Sequence, residues 1–395
     1  MSVLTPVDPG HRRRRRERAS RRRHLVRRLL ALATFAFAAA AVAYAALALT
    51  GGGSTEPVAA ARAAPEQPKP AAPRPRAVPR EMRGVHVTMA LAGIAGKLNA
   101  YTRLRSAGLN TIELDVKDEN GDVAFVRGAP RLARATGAAK PYYDPRAAAR
   151  KLHAAGLYLI GRVVTFQDPD VAEKRPRLAL RNPDGSIWHT QGGLGWLNPY
   201  DRRVWAYDVA VAKAAVRAGF DEIQFDYVRF PSDGDLSAIR YPVRTNASKA
   251  KTVTSFVRYA SRRLHALHAR ISVDVFGLAA TRDLGIGQKP QRLARYTDAV
   301  YPMVYPSHFN AGEYGLPDPS ANPGQTVTDA LLFFETAMRG SGSHLVPWLQ
   351  DFSLGRTYTA HDLRSQVEAA RSLSTHGFLL WNPVGVYTSS ALVRP

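Results

Sequence analysis

From residue 83 onward, short segments rich in apolar residues alternate with longer amphipathic stretches. The longer stretches, around 97–107, 144–155, 201–218, 246–268, 290–296, 324–339 and 359–374, predict helices. The short segments predict the strands Arg83–Thr88, Thr111–Lys117, Tyr158–Val164, Glu222–Asp226, Ile271–Phe276, Ala299–Tyr305, Leu345–Gln350 and Gly377–Trp381. Eight strands joined by helical crossovers predict an α/β protein with a (β/α)8 TIM barrel, and the count of eight disfavours a doubly wound sheet.

Alternate residues of a strand face opposite sides, so the same pattern predicts which side chains fill the barrel. Apolar residues such as Ile112 and Leu114 should face the helices, and the polar residues between them should face inward. The predicted inward side chains are His86, Thr88, Glu113, Asp115, Lys117, Arg162, Gln224, Asp226, Ser272, Asp274 and Phe276. Buried polar groups are costly unless they pair or act, and Glu113 would be explained by an ion pair with Lys117 or Arg162.

The carboxyl ends of the predicted strands carry acids and aromatic side chains. Asp226 ends the fourth strand, and Asp274 lies near the end of the fifth. Catalytic residues of TIM barrels lie at this end of the strands. Trp348 and Trp381 lie beside polar residues at the ends of the last two strands, a position that suits stacking on the apolar face of a sugar ring.

The N-terminal part of the chain has a different pattern. An arginine-rich segment over residues 12–28 precedes an uncharged apolar run, Leu29–Leu49, which at about 1.5 Å per residue would span roughly 31 Å of bilayer. The arginines orient such a helix with residues 1–28 in the cytoplasm and the barrel outside. We therefore expect a single-pass signal anchor in the cell membrane. The alternative is a signal peptide cleaved near Ala46-Leu47-Ala48, which would release a secreted protein.

Residues 50–82 are rich in Gly, Ala and Pro and lack apolar periodicity, which predicts a disordered linker before a barrel domain at 83–395. About half of the formal net charge of +23 lies in residues 1–82, and the rest favours polyanionic neighbours such as anionic wall polymers or lipid headgroups. Arginines beside an apolar run are explained by membrane topology, so no nucleic acid partner is expected. The absence of cysteine fits an exported bacterial protein that folds without disulfides.

Several longer motifs of the predicted barrel resemble a known family. They are Thr111-Ile112-Glu113-Leu114-Asp115-Val116-Lys117, Gly161-Arg162-Val163-Val164-Thr165-Phe166, Trp196-Leu197-Asn198-Pro199-Tyr200, Phe225-Asp226-Tyr227-Val228-Arg229-Phe230-Pro231, Val273-Asp274-Val275-Phe276-Gly277, Tyr301-Pro302-Met303-Val304-Tyr305 and Pro347-Trp348-Leu349-Gln350-Asp351-Phe352. Together they resemble the bacterial "putative glycoside hydrolase" family, a TIM-barrel family placed with the glycosidases by fold and motif, over nearly all of residues 83–385. The resemblance implies a barrel enzyme acting on a polysaccharide.

Glycoside hydrolysis needs two carboxyl groups across the scissile bond, one as acid and one as nucleophile or base. From their barrel positions we predict Asp226 as nucleophile or base and Asp274 as acid, with the reverse assignment open. The residues predicted to bind the substrate or tune the pKa values are Asp115, Lys117, Arg162, Arg229, Tyr305, Trp348, Gln350, Asp351 and Trp381. No cofactor or metal is expected. The sugar, the linkage, the stereochemical outcome and the oligomeric state stay open.

Two other functions remain as alternatives at this stage. A metal-dependent polysaccharide deacetylase would use barrel carboxylates with histidines, but only His86 and His308 lie near predicted strand ends. A membrane-tethered glycan-binding module would use the aromatic residues as platforms without catalysis. A serine nucleophile is disfavoured because the chain has no G-x-S-x-G motif.

Overall fold

Parallel strands close into a barrel that the helices surround. The computed structural model describes residues 76–393. The strands are β1 (Met82–Val87), β2 (Thr111–Lys117), β3 (Tyr158–Val164), β4 (Glu222–Asp226), β5 (Arg270–Phe276), β6 (Ala299–Met303), β7 (His344–Leu345), β8 (Trp348–Gln350) and β9 (Gly377–Trp381). Strand β5 pairs with β6, and β1 pairs with both β2 and β9, all in parallel. The sheet is therefore closed, and the predicted TIM-like α/β fold is confirmed.

The helices follow the strands around the outside of the barrel. They are α1 (Met89–Gly93), α2 (Lys97–Arg103), α3 (Arg131–Thr136), α4 (Pro145–Ala154), α5 (Pro169–Lys174), α6 (Arg202–Ala218), α7 (Lys249–His265), α8 (Pro290–Leu293), α9 (Pro323–Met338) and α10 (Ala360–Arg371). The sequence pattern missed the short helices α1, α3 and α5. Thr88, predicted as the end of a strand, instead caps α1 by accepting a hydrogen bond from the backbone N–H of Leu91.

The seventh strand of the barrel is interrupted. Segments β7 and β8 both pair with β6, and Pro347 lies between them. Proline has no backbone N–H to donate, so the ladder of hydrogen bonds breaks at that point. Counted as one strand, β7 and β8 complete the barrel of eight strands.

Two hydrophobic clusters lie on either side of the barrel wall. The larger one lies between strands and helices and contains fully buried residues such as Ile112 and Val273. The smaller one fills the barrel itself, with Met82, Tyr158 and Tyr301 among its members. This inner cluster runs from Met82 to Trp348 and Phe352 near the carboxyl ends of the strands, and Tyr158 and Tyr301 donate to the buried Glu222 within it.

Lys117 faces the helices and not the barrel interior, contrary to the alternation predicted for β2. The register between β2 and β3 shifts between Asp115 and Lys117, so that Asp115 lies beside Arg162 whereas Lys117 lies beside Val163. A bulge of this kind reverses the direction of the following side chain. The alternation predicted for the other inward residues of β1 to β5 agrees with the structure.

The structure describes only the end of the N-terminal region for which an anchor and a linker were predicted. Among residues 76–393, no helix is long and apolar enough to cross a bilayer. The predicted anchor, Leu29–Leu49, and most of the predicted linker lie outside the described residues. The end of that linker contacts the barrel, because the backbone N–H of Arg76 donates to Asp221 at 2.8 Å and Met82 is buried inside the barrel.

Candidate active site

Arg162 lies at the centre of a cluster of carboxylates at the carboxyl ends of β2, β3 and β4. Its Nη1 donates to Asp115 at 2.9 Å, and its Nε and Nη2 donate to Asp226 Oδ2 at 3.0 and 2.7 Å. Nη2 also donates to Glu119, in the loop after β2. The guanidinium is 2% exposed, so one buried cation holds three carboxyl groups in place.

Glu119 is a site residue that the sequence analysis missed. Burial raises its pKa, but the charge of Arg162 and the hydrogen bond from it outweigh this effect, so the pKa is lowered overall. The side chain is about one-third exposed, which leaves it open to the barrel mouth. Its place in the sequence, two residues after β2 ends, was the available signal, because loops at this end of a TIM barrel carry functional groups.

Asp226 ends β4 and is held by its neighbours. Besides the contacts with Arg162, its Oδ1 accepts a hydrogen bond from the backbone N–H of Tyr227 at 2.6 Å. Tyr227 has a φ of 49°, a left-handed conformation that a bulky residue rarely adopts. Such strain is concentrated at functional sites. Arg229 follows this turn, packs against the ring of Tyr227 and interacts electrostatically with Asp226.

Asp274 lies in a different environment from Asp226. Burial raises the pKa of Asp274 well above its ordinary value, and the nearby charges of Asp226 and Glu113 raise it further. Gln224 and Trp348 both donate to its Oδ1, from Trp348 Nε1 at 2.7 Å. Among residues 76–393, Oδ2 has no hydrogen-bond donor. The two predicted catalytic carboxyls therefore differ: Asp274 is held towards the protonated form, whereas Asp226 accepts from a guanidinium.

The register of the barrel brings these two carboxyls to the same level. Gln224 pairs with Ser272 and Phe225 with Val273, so the next inward residues are Asp226 on β4 and Asp274 on β5. Adjacent strands lie about 4.7–4.9 Å apart. The predicted pair thus faces one space at the mouth, one strand apart.

Glu113 pairs with His86 and not with Lys117 or Arg162 as predicted. Its Oε2 contacts His86 Nδ1, and the other ring nitrogen lies 3.7 Å from Asp115. Burial lowers the pKa of His86 to about 4 and raises the pKa of Glu113 well above its ordinary value. The pair is therefore favoured in its neutral form. On β2 it lies one inward position before Asp115, on the amino-terminal side of the carboxylates bound by Arg162.

Trp381 and Trp348, the two tryptophans predicted to bind a sugar, lie in different environments at the mouth. The ring of Trp381 stacks on His86 with centroids 4.4 Å apart, and the guanidinium of Arg162 lies 5.6 Å from the Trp381 centroid. Trp381 is partly exposed, so it can offer a face to a ligand. Trp348 is only 2% exposed and contacts Asp274 through its indole N–H, so its observed role is to hold that carboxyl.

Tyr305 also belongs to the site. It packs edge-on against His308 and Phe352, and burial with the nearby charge of Asp274 raises the pKa of its hydroxyl well above the ordinary value. The hydroxyl therefore stays a hydrogen-bond donor at neutral pH.

Three predicted binding residues are used elsewhere in the fold. Lys117 pairs with Asp168 at 2.8 Å and Asp208 at 3.2 Å in a buried cluster outside the barrel wall. Gln350 accepts from the backbone N–H of Ser307 and donates to the carbonyl of Phe352, so it ties two loops together.

Asp351 is the third of these residues. It accepts from the backbone N–H and the hydroxyl of Thr388 at 2.7 and 2.8 Å, which fastens the C-terminal segment. Burial raises its pKa to about 6, and the two hydrogen bonds from Thr388 partly oppose that shift.

In the described part of the chain, no group of three or more His, Asp or Glu side chains is arranged to hold a metal ion. His86 and His308 lie near the site, but His308 packs with Tyr305 and Phe352 and not with the carboxylates.

A family model described as "Putative glycosyl hydrolase domain" matches residues 84–387. The chain belongs to this family. The match includes every residue discussed above at the barrel mouth and agrees with the resemblance noted from the motifs. No curated protein matches the chain.

Solved structures are similar to parts of this chain. A hypothetical protein from Ruminiclostridium thermocellum ATCC 27405 is 32% identical, with a TM-score of 0.45, and the match covers 48% of this chain and 97% of that one. The PgaB (BpsB) glycoside hydrolase domain from Bordetella bronchiseptica is 14% identical, with a TM-score of 0.53, over 76% of this chain and 94% of that one. The family supports a glycoside hydrolase-like function, and the Bordetella structure shows a similar fold.

Proposed function

We propose that this protein is a glycoside hydrolase that cleaves an extracytoplasmic polysaccharide, with Asp226 and Asp274 as its catalytic carboxyls. The observation that supports this most is the contrast between the two groups. They lie level on adjacent strands, but one accepts two hydrogen bonds from a guanidinium and the other has a pKa raised by burial. Pairs of carboxyls held in such different environments divide the roles of acid and base.

In this mechanism Asp274 is the general acid. Its proton passes to the glycosidic oxygen as the bond to the leaving sugar breaks. Asp226, as a carboxylate, either attacks the anomeric carbon or removes a proton from the attacking water. Arg162 holds Asp226 in place, and Trp348 and Gln224 hold Asp274, so neither group has to reorganise during the reaction.

Other groups at the mouth would bind the sugar. Trp381 offers a partly exposed aromatic face beside Arg162, and such faces stack on the apolar side of a pyranose ring. Asp115, Glu119 and the hydroxyl of Tyr305 lie around the same space and would accept or donate hydrogen bonds to sugar hydroxyls.

The location outside the cytoplasm is part of the proposal and rests on the sequence. The apolar run Leu29–Leu49 follows a cluster of arginines, which favours a single-pass anchor with the barrel on the outer side. The substrate would then be a polymer of the cell envelope or its surroundings.

The experiment is a comparison of Asp226→Asn and Asp274→Asn with the parent on bacterial wall and capsular glycans. Each substitution keeps the shape but removes the acid–base chemistry, so turnover should fall by about 10² or more while the melting temperature stays close to that of the parent. Glu173→Gln is the matched control, because Glu173 is an exposed acid on α5.

Other outcomes would each replace the proposal. Near-parental turnover in both Asn variants would contradict the assigned pair. Binding without cleavage by the parent, abolished in Trp381→Ala, would indicate a glycan-binding module. Activity that is lost on chelation and restored by added metal would indicate a metal-dependent hydrolase.

A further inference from the structure

Arg229 is a buried cation that has no acidic partner at the mouth of the barrel. It is 6% exposed, and it forms no ion pair with a carboxylate within the part of the chain that the structure describes. Its Nη1 donates to the backbone carbonyl of Phe230 at 3.1 Å. The guanidinium lies 5.0 Å from the ring centroids of Trp196 and Tyr227 and 4.8 Å from that of Phe276.

This arrangement contrasts with Arg162. Arg162 donates to three carboxyl groups, whereas Arg229 makes one hydrogen bond to a carbonyl, faces three aromatic rings and interacts with Asp226 and Asp233 only beyond ion-pair distance. Aromatic faces attract a cation, but they do not use its remaining N–H donors. A buried charge with unused donors is costly unless a ligand accepts hydrogen bonds from those donors. Burial also lowers the pKa of Arg229, which agrees with incomplete compensation.

The position of Arg229 relates it to the catalytic pair. It lies three residues after Asp226, and its neighbour Phe276 is the inward residue that follows Asp274 on β5. Two residues along a strand correspond to about 6–7 Å, roughly the width of one sugar ring. The unused donors of Arg229 are therefore placed to meet a substituent of a sugar bound at the pair.

We propose that Arg229 binds an anionic substituent, a carboxylate or a phosphate, on a sugar next to the scissile bond, so that the natural substrate is an anionic polysaccharide. A planar guanidinium binds both kinds of group through paired hydrogen bonds. This inference deepens the proposed function and rests on it. Removal of the negative charge from the ligand should therefore abolish the preference of the protein for it.

Exposed cations at the same end of the barrel agree with an anionic polymer. A cavity of about 460 Å³ is lined there by Leu132, Pro176 and Leu178 and by Lys174, Arg175, Arg177 and Arg203, of which Arg203 is paired with Asp201. These residues lie on α3, at the end of α5, in the segment that follows it and in the first turn of α6, all in the connections that leave the carboxyl ends of β2 and β3. Lys174, Arg175 and Arg177 are exposed and, within residues 76–393, form no ion pair.

The test compares charged probes with uncharged counterparts, with full-length protein and tryptophan fluorescence as the readout. The pairs are an oligogalacturonate with its methyl ester, and glucose 6-phosphate with glucose. Fluorescence is suitable because Trp196 lies beside Arg229. In at least one pair the parent should bind the charged probe at least about tenfold more tightly, as expected for a desolvated charge-assisted contact, and the preference should weaken in 1 M salt.

Variants at Arg229 assign the preference to this residue. Arg229→Met keeps an elongated apolar side chain in the aromatic cage and should remove the preference, whereas Arg229→Lys should retain part of it. Arg146→Met is the control, because Arg146 is exposed on α4. The triple variant K174Q/R175Q/R177Q should weaken oligogalacturonate binding but not glucose 6-phosphate binding.

The failures of the two proposals are distinguishable. If the parent shows no preference for the charged member of either pair, or if Arg229→Met retains the preference, the inference about Arg229 is wrong. Cleavage of a neutral glycan under those conditions would leave the proposed hydrolase intact. If Arg229→Met does not fold, the parent titrations and Arg229→Lys decide the question.

Discussion

Replacement of Arg162 by Met should have a large and pH-dependent effect on stability. Arg162 is the shared partner of Asp115, Glu119 and Asp226, and it is buried with them. Removal of one partner of a buried ion pair costs about 3–5 kcal/mol, because the remaining charge is left without compensation. Three carboxyl groups would be left close together here, so we expect a loss in the upper part of that range at pH 7.

The pH dependence follows from Glu119. In the parent its pKa is lowered, so its contribution to stability is present above its unfolded pKa and is lost as the pH falls through its folded pKa. The variant lacks this contribution at every pH. The difference in the free energy of unfolding between parent and variant should therefore be full at pH 7 and should shrink as the pH falls below about 4.5, where the released carboxyls take up protons.

Urea unfolding at pH 7 and pH 4, followed by circular dichroism, measures this difference. Arg146→Met is the control, and as an exposed substitution it should change the free energy of unfolding by no more than about 0.5 kcal/mol. A loss below about 1 kcal/mol for Arg162→Met at pH 7, or a loss that does not change with pH, would refute the assignment of Arg162 as the partner that compensates these carboxyls.

Three further predictions concern the barrel closure, the acid and the N-terminus. Gly377→Ala should destabilise the fold by about 3 kcal/mol or more, because Gly377 has a φ of 100° and a Cβ there would lie 2.1 Å from a backbone oxygen of β1. Gly340→Ala is the control: Gly340 has a φ of 74° with open space around it, so the substitution should cost only about 1–2 kcal/mol. Thermal unfolding measures both losses of stability, and equal losses would contradict the steric argument. Trp348→Phe removes a hydrogen bond that lowers the pKa of Asp274, so the alkaline limb of the pH–rate profile should move to higher pH, and an unmoved limb would exclude Asp274 as the acid. N-terminal sequencing of membrane-extracted protein should find the anchor uncleaved; a mature start near residue 49 would show a secreted enzyme.

Much of the barrel was predictable because its signals are local. The bounds predicted for β2, β3, β4 and β9 agree with the structure, since a strand of alternating residues between a glycine cap and a loop is recognisable without knowledge of its neighbours. The inward direction of Asp226 and Asp274 followed from the same alternation, because side chains along a regular strand alternate with a period of two. The level placement of these two carboxyls depended in addition on the register between β4 and β5, which only the structure shows.

The partners of each group depended on the tertiary structure. A single bulge in β2 directs Lys117 to Asp168 and Asp208, outside the barrel wall. The residue pattern of β2 does not predict that bulge. Arg162 is shared by carboxyls from two other strands and a loop, and the packing distances that allow this exist only once the barrel has closed. The amino-acid sequence by itself determined the strands, their order and the side that residues face where a strand is regular, because those depend on local periodicity. The tertiary structure decided which charges meet, because hydrogen bonds and burial depend on distances between residues far apart in the chain.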